Sequence, residues 1–117
     1  MLDAPPATTL TAHRKALEAA GLALALSNTV PAPFRSLANQ VIRSASSVPA
    51  NLSEGHGRCG RDRDYLWRVA YGSAKEVDSH LRLLANAGAL DPAQVDPVLR
   101  LFDEVRAMTW RLLHPRR

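Results

Sequence analysis

Glu54, Glu76, His56, His80 and Cys59 are the side chains through which this sequence could run acid, base, nucleophilic or metal chemistry. Arg58, Arg61, Arg63 and Arg68 are those through which it could hold phosphate. A di-metal site in a helical bundle takes Glu-x-x-His from two helices and glutamates from the other two. That pattern is absent: Glu76 and His80 share a face at four-residue spacing but have no complementary ligands elsewhere. No metal and no cofactor is expected. Cys59 sits in a glycine-flanked turn with no sequence neighbour to orient it as a nucleophile, and a nuclease-like pairing of Glu54 with His56 ranks last among the readings. The chain is therefore expected not to be an enzyme. Glu54 and Glu76 read as ion-pair partners of Arg43 or Arg58, since a carboxylate left unpaired among apolar neighbours would take up a proton instead.

The arginine quartet has two readings. Asp62 and Asp64 are interleaved with it and dilute its field, as in a solvated helix-end patch. Arginine also contacts phosphate through two parallel N–H bonds and stacks on bases, which makes Arg58, Arg61, Arg63 and Arg68 the candidate contacts to RNA or DNA. The net charge of +4 is carried almost wholly by arginine, which agrees with that reading without requiring it.

The elements that position these residues are helical. A chain of 117 residues supports one domain, and no alternating apolar run marks a strand. The expected fold is all-α, an antiparallel up-down-up-down four-helix bundle with helices at about 9–28, 33–54, 62–87 and 92–113. Residues 1–8 are expected as a short disordered lead-in to a single domain over 9–114. Leu10, His13, Leu17, Gly21, Leu24 and Asn28 mark the inner face of the first helix, with Thr9 or Thr11 as its cap and its alanines supplying helix propensity. Pro31 and Pro33 stiffen the connector. The second helix carries Pro49 inside its apolar pattern, at a cost of about 3 kcal/mol, and Ser46, Ser47 and Asn51 are placed to satisfy backbone groups at the expected bend. Gly55 and Gly57 are expected to stop it, and Asp62 or Gly60 to cap the third helix.

The inner face of the third helix reads Tyr65, Leu66, Val69, Ala70, Ser73, Val77, Leu81 and Leu84. Gly72 and Ser73 interrupt it with small side chains, as a close crossing with the second helix near Ala45 and Ser46 would need. Gly88 closes this helix, and Asp91-Pro92 opens the fourth. The fourth helix packs with Val95, Val98, Leu99, Phe102, Val105, Thr109, Leu112 and Leu113. The lone Cys59 gives no disulfide framework, and neither a leader nor an apolar run of membrane length is seen, so a soluble cytoplasmic protein is expected.

The run SVPANLSEGHGR at 47–58, followed by AYGSAKEV at 70–77, resembles the four-helix bundle family linked to intervening sequences of bacterial large-subunit ribosomal RNA. The matching positions are Ser47, Val48, Pro49, Ala50, Asn51, Leu52, Glu54, Gly55, Gly57, Arg58, Tyr65, Ala70, Gly72, Ser73 and Glu76. The match covers helices two and three, extends to helix four through spacing, and is weak over helix one. The resemblance implies a cytoplasmic bundle that assembles into a ring of five subunits, with Pro49, Asn51, Glu54, Gly55, Gly72, Ser73 and Glu76 as architectural residues. A relative, the accessory protein of diversity-generating retroelements, implies a basic pentameric barrel that engages nucleic acid and a reverse transcriptase. A ring would repeat the arginine patch about its axis and add weak contacts together. The alternative is a purely protein-directed scaffold, in which Met108, Trp110 and Trp67 mark contacts to a protein partner.

Overall fold

In a computed structural model, which describes residues 5–115 and the side chains of 9–115, four long helices follow one another with short links. They are α1 (Pro5–Ser27), α2 (Arg35–His56), α3 (Gly60–Asn86) and α4 (Pro92–Leu113), with one 3-10 turn at Ala32–Phe34. No strand occurs among the described residues. Each helix packs on two others, in the cyclic order α1, α2, α3, α4. The molecule measures 50 × 23 × 17 Å, so the long axis accommodates α3, about 40 Å at 1.5 Å per residue. Contacts between α2 and α3 climb one helix as they descend the other: Leu52 meets Trp67, Ser47 meets Ser73, and Ser44 meets Glu76. The two are antiparallel.

The chain forms these helices where capping chemistry permits. Asp91 accepts from the Ala93 N–H at 2.9 Å and Pro92 occupies the first turn, where its missing N–H costs nothing. At the end of α3, Gly88 takes φ +78°. The N–H groups of Gly88 and Ala89 reach back to the carbonyls of Ala85 and Leu84, closing the helix. The C-terminus of α1 is closed from outside, by the Arg35 guanidinium donating to the Ser27 and Val30 carbonyls at 3.1 and 2.9 Å. A cation there also meets the negative end of the helix dipole.

Several expectations are corrected. Helix α1 is already formed at Pro5, because two prolines are tolerated in a first turn. Residues 5–8 of the expected lead-in are therefore helical, residues 1–4 lie outside the described residues, and Thr9 and Thr11 fall inside the helix rather than at its cap. More consequentially, the inner face of α1 is Ala12, Ala16, Ala19, Ala20 and Ala23, while Leu10, Leu17, Leu22 and Leu24 are exposed. Both faces of this helix are apolar, so periodicity alone could not say which turned inward. Small alanines let the backbone of α1 approach its neighbours closely.

In α3 the buried set is Trp67, Ala70, Ser73, Ala74, Val77, Leu81 and Leu84, and Tyr65 lies outside it. The N-cap of α3 is Cys59, which makes no side-chain cap bond, so neither Asp62 nor Gly60 has that role. The inner face expected of α4 is buried as read, except that Leu113 is half-buried.

Candidate nucleic-acid interface

Helix α2 runs unbroken through Pro49, which is buried together with Val48 and Leu52. Its neighbours supply local bonds. Ser46 Oγ donates to the Ile42 and Arg43 carbonyls, and Asn51 Nδ2 donates to the Ser47 carbonyl at 2.8 Å and to Ser47 Oγ at 2.9 Å. Ser73 Oγ donates to Ser47 Oγ at 2.9 Å, so one hydroxyl joins the turn around Pro49 to α3. Ser44 Oγ donates to Glu76 Oε1 at 3.3 Å. Glu76 therefore takes a hydroxyl partner where an arginine was expected. Glu54 does pair with Arg58, at 2.7 Å, beside the bundle where both side chains are half-exposed.

Gly57 is the C-cap of α2, and the helix includes Gly55 as its next-to-last residue. Gly55 is buried where a Cβ would fall 2.5 Å from Trp67 Nε1 and 3.3 Å from the Arg63 carbonyl oxygen. Trp67, 2% exposed, lies against it and directs its indole N–H toward the Leu52 carbonyl at 3.4 Å. Its expected role as an exposed contact is thereby excluded. The close approach belongs to Gly55 and not to Gly72, which is exposed and whose Cβ would meet nothing within 4 Å.

The arginine quartet divides in two. Arg58 is held by Glu54 and lies 3.7 Å from Asp62. Arg63 stands 5.0 Å from the centre of the Trp67 ring and 3.5 Å from Asp64, so it is engaged in the scaffold. Arg61 and Arg68 have no acidic partner among the described residues. Lys75 extends their line: residues 61, 68 and 75 repeat every seven positions on the exposed side of α3, about 10 Å apart at 1.5 Å rise per residue. Tyr65, exposed, lies between the first two. Lys75 is not among the four arginines clustered along the chain near the glycine turn, and its seven-residue spacing from Arg68 is the sequence signal that places it on their helix face.

Elsewhere several cations are paired. Asp78 accepts from Arg82 at 2.7 Å and lies 3.8 Å from Arg106 of α4, which also bonds Asp103. The hydrogen bond from Arg82, and then the Asp78 charge, hold the pKa of that guanidinium above its ordinary value. Arg100 pairs with Asp96 and Lys15 with Glu104. Among the described residues, Arg14, Arg43, Arg61, Arg68, Lys75 and Arg111 lack an acidic partner, as does Arg35, which is engaged by the Ser27 and Val30 carbonyls. No three His, Cys, Asp or Glu side chains come together there in a group that could hold a metal ion. Cys59 is an exposed free thiol, and no helix is long and apolar enough to cross a membrane.

The family model for the 23S rRNA-intervening sequence protein matches residues 8–111. The chain belongs to that family. Among solved structures, this intervening-sequence family member is similar to a protein of unknown function from the S23 ribosomal protein family of Bacteroides thetaiotaomicron, with a TM-score of 0.84 and 20% identity. The alignment covers 92% of this chain and 98% of the other. At that identity the likeness establishes the shared helical fold. No curated protein matches the chain.

Proposed function

We propose that this family member is a non-enzymatic, self-associating bundle of the cytoplasm that binds nucleic acid, RNA before DNA, along the outer face of α3. The observation that carries this reading is the line Arg61, Arg68 and Lys75, un-neutralised and interleaved with the exposed Tyr65. Cations fixed on a rigid helix meet phosphates without first losing a carboxylate partner, and the intervening-sequence connection of the family makes a structured ribosomal RNA segment the first ligand to try. Binding of this kind falls steeply with salt. Replacing Arg61, Arg68 and Lys75 with alanine should lower the slope of log affinity against log salt by about one per lost phosphate contact, measured by fluorescence anisotropy. Unchanged affinity and slope in the triple variant would remove the reading.

Self-association is supported by a separate feature. Leu10, Leu17 and Leu24 recur every seven residues on the exposed side of α1, with Leu10 57% exposed. A leucine heptad facing water is the pattern of a helix seam awaiting a partner. A second copy of the chain fills that role in this reading, and five subunits is the stoichiometry proposed. A protein-directed scaffold that binds no nucleic acid would use the same stripe, and the salt experiment separates the two.

A further inference from the structure

Beside the cationic line of α3 lies a feature that line does not explain. Arg68, Tyr71 and Gly72 of α3, Trp110 of α4 and His114, which caps α4, line one open hollow of about 380 Å³. Tyr71 and Trp110 also line the adjoining hollow of about 560 Å³, which Arg111 and the paired Asp103 and Arg106 border. Trp110 is 51% exposed even though it stands in a helix with a well-filled inner face. His114 stacks on it at 4.1 Å between ring centres and 22° between planes. The ring is held there by Nδ1 at 2.9 Å from the Trp110 carbonyl. Since a carbonyl can only accept, Nδ1 is the donor in this hydrogen bond.

Gly72 is the second anomaly. A glycine inside an exposed helical stretch costs about 1 kcal/mol against alanine, and nothing in this chain approaches close enough to require it. Its effect is to leave the floor of the hollow bare beside two aromatic rings. Arg68 and Arg111, neither with an acidic partner among the described residues, stand on the two helices that form the walls.

We infer that this groove between α3 and α4 is a stacking site for unpaired nucleotides, with Trp110 and its stacked His114 as the platform and Arg68 and Arg111 holding the flanking phosphates. Aromatic faces beside cations that track a backbone are the usual means of gripping single strands, because every base has a π face whereas a duplex keeps those faces covered. The bare Gly72 lets a planar ring lie close to the α3 backbone. An acidic peptide would use the arginines but has no need of an open, planar aromatic surface. The inference rests on the nucleic-acid reading above and adds to it a demand for single-stranded character.

The test uses the full chain with a non-pairing single-stranded RNA dodecamer and, in parallel, a duplex of the same length. With Trp67 buried, quenching of tryptophan fluorescence on adding the single strand reports Trp110, and Trp110→Phe should abolish that signal while keeping affinity, since phenylalanine still stacks. Trp110→Ala should weaken single-strand binding about 5- to 150-fold and leave duplex binding unchanged. Gly72→Leu, whose Cβ meets no atom within 4 Å and whose side chain extends over the floor, should lower single-strand affinity while melting no earlier than the wild type. Equal loss of single strand and duplex in Trp110→Ala, unaltered single-strand affinity, or a changed assembly mass, which would make the groove a subunit contact, overturns the inference and leaves the α3 ridge standing. Failure of the wild type to bind either RNA removes the nucleic-acid reading and this inference with it.

Discussion

At the scale of single residues, what each polar group does follows from what reaches it first. Asp78 is largely covered, and its two partners come from different helices: Arg82 one turn along α3, and Arg106 across the interface on α4. An exposed pair contributes about 0–1 kcal/mol and a buried one costs about 3–5 when broken. With Arg106 about one-fifth exposed, Arg106→Gln should therefore cost about 1–2 kcal/mol, read as a lower denaturation midpoint. By contrast Glu54→Gln breaks only the half-exposed pair with Arg58 and should change stability by less than about 1 kcal/mol. The raised pKa of Arg82 makes a directional statement about pH. A base whose folded pKa is raised contributes its full stabilisation below the unfolded value and loses it only as pH climbs through the folded one. Between neutral and moderately alkaline pH the melting temperature should carry no inflection from this guanidinium.

At the scale of elements, the joint between α2 and α3 is set by one glycine and one tryptophan. Gly55→Ala would gain about 1 kcal/mol in helix propensity. It would also drive a methyl group into the Trp67 ring, which is too enclosed to swing away. Overpacking of this sort costs about 1–3 kcal/mol, and the contact with the Arg63 carbonyl adds to it, so the net effect is destabilising. The same substitution in a Trp67→Ala background, itself costing about 3–5 kcal/mol, should turn neutral or stabilising. Chemical denaturation of the four proteins measures this sign change. Gly72→Ala, made where no neighbour intervenes, should stabilise by up to about 1 kcal/mol.

At the scale of the whole molecule, α1 is inverted relative to an ordinary surface helix: Ala12, Ala16, Ala19, Ala20 and Ala23 are inside, while Leu10, Leu17, Leu22 and Leu24 are outside. Burying a leucine stabilises by about 1.5–3 kcal/mol, so a helix that turns leucines to water within one chain forgoes that gain unless another surface covers them. Leu17→Lys combined with Leu24→Lys removes nothing from the core of the single chain. It should leave the helical circular-dichroism signal intact while lowering the mass seen in sedimentation toward that of one chain. Retention of the wild-type mass would show that the stripe is not the seam. If assembly does bring copies of the α3 ridge together, the same variant should also weaken RNA binding through lost avidity, with no arginine touched.

The helical class, the number of helices, the Asp91-Pro92 start and the Gly88 close were legible from the sequence, because each depends on local rules of spacing, proline geometry and capping that act within a few residues. The serine and asparagine set around Pro49 was legible for the same reason. What a local rule could not decide was which of two apolar faces of α1 turned inward, that Gly55 at the end of α2 also admits Trp67, and which arginines retained a free charge. The first two outcomes depend on side chains that arrive from other helices: alanine packing selects one face of α1, and an indole occupies the space over Gly55. The third turns on near neighbours in the chain, since Glu54 and Asp62 lie four residues to either side of Arg58 and Asp64 lies next to Arg63, and the folded geometry engages those two arginines while Arg61, Arg68 and Lys75 go without. The groove of Trp110, His114 and Tyr71 lies furthest from the sequence reading, since its walls are about forty residues apart in the chain and meet only when α3 and α4 pack side by side.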